Sequence, residues 1–148
     1  MSSRSARLRK LLDLRQKQLD ECVVELTRAR EREQQAALRA ENEARELESA
    51  LERRSNLAET PALSDRWSSE NDWIELRGSY HEAATAALCK AQLSRQRAHG
   101  EVLHARSQLK KMEVLQDRLR REEQRAEDRK DQRLHDELSQ KNASRGAR

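Results

Sequence analysis

The sequence predicts an all-α protein, a long antiparallel two-helix coiled-coil hairpin. Three observations lead to this fold class. Ala, Glu, Lys, Leu and Arg make up about 60% of the 148 residues, above the level of roughly half that is typical of coiled coils and long helices. Apolar side chains recur at alternating spacings of three and four residues in both halves of the chain. The only proline, Pro61, lies between these halves.

The first helix is predicted over about residues 6–58. Eleven of the fifteen positions in its stripe are apolar, which keeps one helix face against a partner helix. Polar residues at the other four positions should make self-association weak at most. The stripe comprises Leu8, Leu12, Arg15, Leu19, Cys22, Leu26, Ala29, Glu33, Ala36, Ala40, Glu43, Leu47, Ala50, Arg54 and Leu57.

A turn is predicted at about residues 59–68, because Pro61 cannot continue a helix and Ser69 opens a segment that resembles a capping box. The second helix should then run over about 69–138 and end in a frayed tail, 139–148, with the chain forming a single domain. Its clearest stripe comprises Leu88, Ala91, Arg95, Ala98, Val102, Ala105, Leu109, Met112, Gln116, Leu119, Glu123 and Ala126.

The stripes also favour a hairpin over a continuous rod. If the chain folds back near residue 63, Leu8 faces about residue 118, and the second stripe fades near that point. Upstream of Leu88, a different set of residues fits a register shifted by one position, which predicts a local irregularity. That set is Trp73, Tyr80, Ala84 and Ala87.

Several classes of function are disfavoured by the sequence. A water-excluding pocket needs a core on more than one side, there is no glycine-rich phosphate loop, and no ligand cluster suits zinc. We therefore predict no enzyme activity, catalytic residue, cofactor or metal. Basic residues alternate with acidic residues along the chain, and this pattern disfavours a nucleic acid as a partner. No apolar run reaches the length of a membrane span, and no secretory signal precedes the first stripe, so a cytoplasmic location is predicted.

The formal charge of +4 is unevenly distributed. Residues 1–20 carry +4, residues 118–148 carry +3, and the stretch between them carries −3. A hairpin brings the two basic ends together, so this charge is either dispersed without a specific role or forms an end that enters an acidic partner cavity.

The only aromatic residues, Trp67, Trp73 and Tyr80, lie close together after the predicted turn. They either plug the turn end of the helix pair or form an exposed anchor for a partner, a role for which Trp and Tyr are favoured. Both interpretations remain open from the sequence.

Taken together, the chain resembles the FliJ/YscO/HrpO family of coiled-coil stalk proteins from type III secretion and flagellar export. The resemblance covers nearly the full length. It rests on size, on the basic opening Arg7-Leu-Arg-Lys-Leu-Leu-Asp-Leu-Arg15 followed by Leu19 and Leu26, and on a second long helix with a charged C-terminal part.

This resemblance implies a non-enzymatic stalk or adaptor of a flagellar or virulence-associated export apparatus. The two terminal ends would enter the pore of a hexameric export ATPase, and the protein would link that ATPase to an export-gate protein and to export chaperones. It would act at the cytoplasmic face of the apparatus. The resemblance places the contact with the ATPase on nine basic residues, which are Arg4, Arg7, Arg9, Lys10, Arg15, Arg118, Arg120, Arg121 and Arg125. The alternatives are a generic structural coiled coil that forms a homodimeric rod, and a chaperone that holds clients between its helices.

Overall fold

The computed structural model describes residues 3–58 and 64–147. Two helices, α1 (Ser3–Ala58) and α2 (Ser64–Gly146), pack against each other, and these residues contain no strand. The predicted fold class, an antiparallel two-helix coiled-coil hairpin, is confirmed. The chain divides into two units, which we call the terminal unit (residues 1–19 with 104–148) and the central unit (residues 20–103).

The α1 stripe is buried as its spacing predicts. Every one of its positions from Leu8 to Leu57 is buried or half-buried. The most enclosed residues are Leu26, Ala29 and Ala50, which are 7%, 3% and 0% exposed. Two of these three are alanines, and small side chains allow two helix backbones to approach closely, so this seam is narrow rather than filled by large apolar groups.

The α2 stripe from Leu88 to Ala126 is likewise buried or half-buried throughout, with Ala98, Val102 and Ala105 in the core. The predicted irregularity upstream of Leu88 is wrong. The same spacing continues without a shift through Glu70, Ile74, Arg77, His81 and Ala84, all half-buried, whereas Trp73, Tyr80 and Ala87 are exposed. Long polar side chains can cover a seam with their aliphatic stems, so helical periodicity is kept where apolar content falls.

The ends of α2 differ from the sequence expectation. The helix begins at Ser64 rather than near 69. The negative charge of Asp65 in its first turn interacts favourably with the positive end of the helix dipole. At the other end it continues to Gly146 rather than fraying from 139, since no glycine or proline intervenes. Residues 59–63, which contain the predicted turn proline, lie outside the described residues.

The last part of α2, in the terminal unit, packs against no other helix among the residues that the structure describes. Ala126 is the last half-buried residue, and every residue from 127 to 147 is exposed. Local side-chain bonds support this helix, including one from Gln124 Nε2 to Asp128 Oδ1 at 2.9 Å and one from Ser144 Oγ to the Lys141 carbonyl oxygen at 2.9 Å.

Candidate partner-binding sites

The terminal unit contains all nine basic residues that the sequence singles out, five from α1 and four from α2. Eight of them are exposed, and Arg15 is half-buried, with its Nη1 donating to Gln18 Oε1 at 3.1 Å. Arg9 of α1 and Arg120 of α2 line one groove together with Leu8 and Leu119. The helix pairing therefore brings basic groups from both ends of the sequence into one unit.

A second groove of the terminal unit combines basic and apolar groups. Arg4, Arg7, Leu8 and Leu11 of α1 line it opposite Leu115 and Leu119 of α2, around a volume of about 270 Å³. Guanidinium groups bind carboxylates through paired hydrogen bonds, and the leucines offer apolar contact. Such a surface suits recognition of an acidic protein surface.

The three aromatic rings lie in the central unit, each over an arginine. The Arg77 guanidinium carbon is 4.5 Å from the centre of the Trp73 ring and 5.7 Å from the centre of the Tyr80 ring. The guanidinium carbon of Arg54 is 5.9 Å from the Trp67 ring centre. These distances fall within the range of cation–π attraction.

Seam contacts hold both arginines in place. Arg77 Nη1 lies 3.4 Å from Glu43 Oε2 across the helix pair, and Arg54 Nη1 donates to Asn71 Oδ1 at 3.3 Å. The three residues nevertheless remain partly exposed to solvent: Trp67 is 39% exposed, Trp73 is 37% and Tyr80 is 47%. The aromatic side chains are thus positioned by the seam without being enclosed by it.

Sequence reasoning missed several features of this region. Leu76, 42% exposed, lies between Trp73 and Tyr80 along the helix, which extends the exposed apolar stripe. Within the seam, Glu70 Oε2, Arg77 Nε and His81 Nδ1 are buried and have no hydrogen-bond partner among the described residues. Extending the α2 spacing upstream from Leu88 would have found these three positions, because it assigns them to the seam regardless of their polarity.

Cys22 and Cys89, which lie outside these two surfaces, are both free. Among residues 3–58 and 64–147, no group of His, Cys, Asp or Glu is arranged to hold a metal ion. None of the helical segments that the structure describes has the length and apolarity needed to cross a membrane.

Comparison with known families identifies the chain. A family model described as "Flagellar FliJ protein" matches residues 4–148. The chain belongs to the FliJ family. The resemblance drawn from the sequence is therefore confirmed, and no curated protein or solved structure matches the chain.

FliJ-family membership gives the protein a structural role in flagellar or type III protein export. The matched residues include both the basic terminal unit and the aromatic stripe of the central unit.

Proposed function

We propose that this FliJ-family protein is a non-enzymatic stalk of the export apparatus that engages a hexameric export ATPase through its terminal unit, at the cytoplasmic face of the membrane. The observation that carries this proposal is the gathering of basic residues from both ends of the sequence in one unit, where eight of the nine are exposed. A ring pore with acidic walls would attract this unit and orient it before contact.

The charge pattern of the two helices supports a ring-facing role for the terminal unit. Stretches 1–20 and 118–148 carry +4 and +3, whereas the intervening stretch carries −3. Electrostatic steering acts mainly on the rate of encounter and on orientation, so the protein would approach an acidic cavity with its terminal unit rather than its central unit.

The central unit supplies a candidate surface for a second partner of the export apparatus, the export-gate protein or an export chaperone. Trp73, Leu76 and Tyr80 follow one another at spacings of three and four residues, and they are 37%, 42% and 47% exposed. Aromatic side chains fixed by neighbouring groups lose little entropy on binding and often dominate interface energies. Arg77 provides that fixation here.

The pairing of α1 with α2 argues against the alternative of a homodimeric rod. A rod would need the apolar stripes for contact with a second chain. Every stripe position from Leu8 to Leu57 and from Leu88 to Ala126 is already buried or half-buried in a single chain. A stable dimer would therefore have to use other surfaces of the protein, which supports the adaptor role instead.

The proposal is tested by adding the purified protein to the purified export ATPase of the same system. We expect the rate of ATP hydrolysis and the fraction of hexamer to rise with protein concentration until they saturate, and we expect added salt to weaken the effect because it screens exposed charges. An ATPase whose rate, assembly and sedimentation are unchanged at saturating protein would overturn the proposal.

A further inference from the structure

The last part of α2 carries a regular stripe along one of its faces. Six residues follow one another at alternating spacings of four and three, which places them along one side of the helix over about 27 Å. All six are exposed. We call this set the tail stripe, and its members are Glu127, Asp131, Leu134, Leu138, Lys141 and Arg145.

The centre of the tail stripe is apolar. Leu134 is 58% exposed and Leu138 is 61% exposed, more than any other large apolar side chain among residues 3–58 and 64–147. No helix of the described residues covers them, since every residue from 127 to 147 is exposed. A lone helix of this length is only marginally stable in water, and helices in proteins are stabilised mainly by packing of an apolar face. A partner helix on the two leucines would supply that packing.

The charges of the tail stripe are ordered by sign. Two acidic residues precede the leucines and two basic residues follow them. No salt bridge among the described residues involves any of these four groups. From one end to the other the stripe is acid, acid, leucine, leucine, base, base, and this order is complementary to its own reverse.

Two antiparallel copies would therefore match at every position of the tail stripe. With a two-fold axis level with residue 136, paired residues lie equally far from the axis on opposite sides, and each pair forms twice. In a parallel arrangement like charges would meet at all four charged positions and repel. A shift by one heptad would place leucines against charged groups. The matched pairs are Leu134 with Leu138, Asp131 with Lys141 and Glu127 with Arg145.

From this order we infer that the tail stripe binds the tail stripe of a second copy of the chain, as an antiparallel two-helix coiled coil. The dimer is weak, because each copy buries only two large apolar side chains and exposed ion pairs contribute little. Glu137, which flanks the axis, also approaches its equivalent in the other copy. The inference goes beyond the proposed ATPase contact, since the tail stripe shares no residue with it, and the pairing of α1 with α2 within each chain stays intact.

The test measures self-association of the full-length protein by sedimentation equilibrium, up to several hundred micromolar. Lys141→Glu/Arg145→Glu makes the tail stripe acidic at both ends, and Glu127→Lys/Asp131→Lys makes it basic at both ends. We expect each variant alone to dimerise at least about tenfold more weakly than the unmodified protein, because attractive pairs become repulsive. A one-to-one mixture of the two variants should dimerise about as strongly as the unmodified protein, since every charged pair is attractive again.

Two further variants separate the tail stripe from net charge and from helix stability. Arg129→Glu/Arg133→Glu changes the net charge as much as Lys141→Glu/Arg145→Glu does, but on another face of the same helix, and should leave the dissociation constant within about threefold. Leu134→Ser/Leu138→Ser should abolish dimerisation through the lost apolar contact. Circular dichroism of each monomeric variant checks that helix content is retained.

The direction of pairing is read by zero-length cross-linking with a carbodiimide, in a mixture of isotopically labelled and unlabelled protein. We expect an amide between the Asp131 carboxylate of one copy and the Lys141 amine of the other. Within one helix these residues are about 15 Å apart along the axis, so the adduct has to join two chains. Mass spectrometry identifies it by a peptide pair that carries one labelled and one unlabelled half.

Three outcomes would overturn the inference. They are an unmodified protein that stays monomeric at every concentration, an equal loss in Lys141→Glu/Arg145→Glu and in its control on the other face, and a mixture of the two charge-reversed variants that stays monomeric. ATPase stimulation by Leu134→Ser/Leu138→Ser is expected to persist, because it alters no charge and no residue of the proposed ATPase contact. Failure of either proposal can therefore be told from failure of the other.

Discussion

Reversing three charges at the start of α1, with Arg7→Glu/Arg9→Glu/Lys10→Glu, is expected to lower the affinity for the export ATPase about ten- to a hundredfold. The three side chains are exposed and lie in the terminal unit. Each reversal replaces attraction to an acidic surface by repulsion, and steering effects of this size act mainly on the association rate. Arg, Lys and Glu have similar helix propensities, so helix content should not change.

The matched control reverses three exposed arginines of the central unit, Arg30→Glu/Arg39→Glu/Arg53→Glu, which gives the same net charge. Affinity is measured by titration with ATP-free ATPase at low and moderate salt, and helix content by circular dichroism. If both triple variants lose affinity equally, net charge rather than the terminal unit controls binding, and the proposed contact is wrong.

Arg77→Glu is expected to lower the free energy of unfolding by about 2–3 kcal/mol, because it places two carboxylates together in the seam. Arg77 and Glu43 have side chains only 20% and 27% exposed, at 3.4 Å between Nη1 and Oε2. The substitution also removes the cation that lies over the rings of Trp73 and Tyr80, a contact worth about 0.5–1 kcal/mol per ring at exposed sites.

The charge-swapped variant Glu43→Arg/Arg77→Glu should recover part of this loss. It restores the ion pair but leaves a carboxylate beside the two rings, which repels their negative faces. The control is Arg45→Glu, which breaks an exposed pair with Glu41 at 3.2 Å and should cost less than about 1 kcal/mol. Urea unfolding followed by circular dichroism measures all three variants. Equal losses for Arg77→Glu and Arg45→Glu would mean that the seam does not use the Glu43–Arg77 contact.

Much of the fold follows from the spacing of residues along the chain. The α1 stripe is buried or half-buried at every predicted position, and the polar positions Arg15, Glu33 and Arg54 are half-buried, because a helix face is set by period rather than by the character of each side chain. The same rule explains why the predicted register shift upstream of Leu88 is wrong. Trp73 and Tyr80 are large aromatic residues near the start of α2, yet period assigns Ile74, Arg77 and His81 to the seam.

The helix ends and the interaction surfaces were harder to predict. The sequence favoured a start at Ser69, but Asp65 already suits a first turn, and several polar residues before 69 can begin a helix. The grouping of basic residues followed from antiparallel pairing. The groove that Leu11 and Leu115 line did not, because its two walls come from different helices and meet only when both helices are in place.

The most direct test of the proposed function is site-specific photo-cross-linking in the presence of the export ATPase. A photoreactive amino acid is placed at Lys10, in the terminal unit, or at Leu76, on the exposed stripe of the central unit. We expect an ATPase adduct from position 10 and none from position 76. An ATPase adduct from position 76 alone, or none from either position under conditions where ATP hydrolysis is stimulated, would contradict the proposed contact.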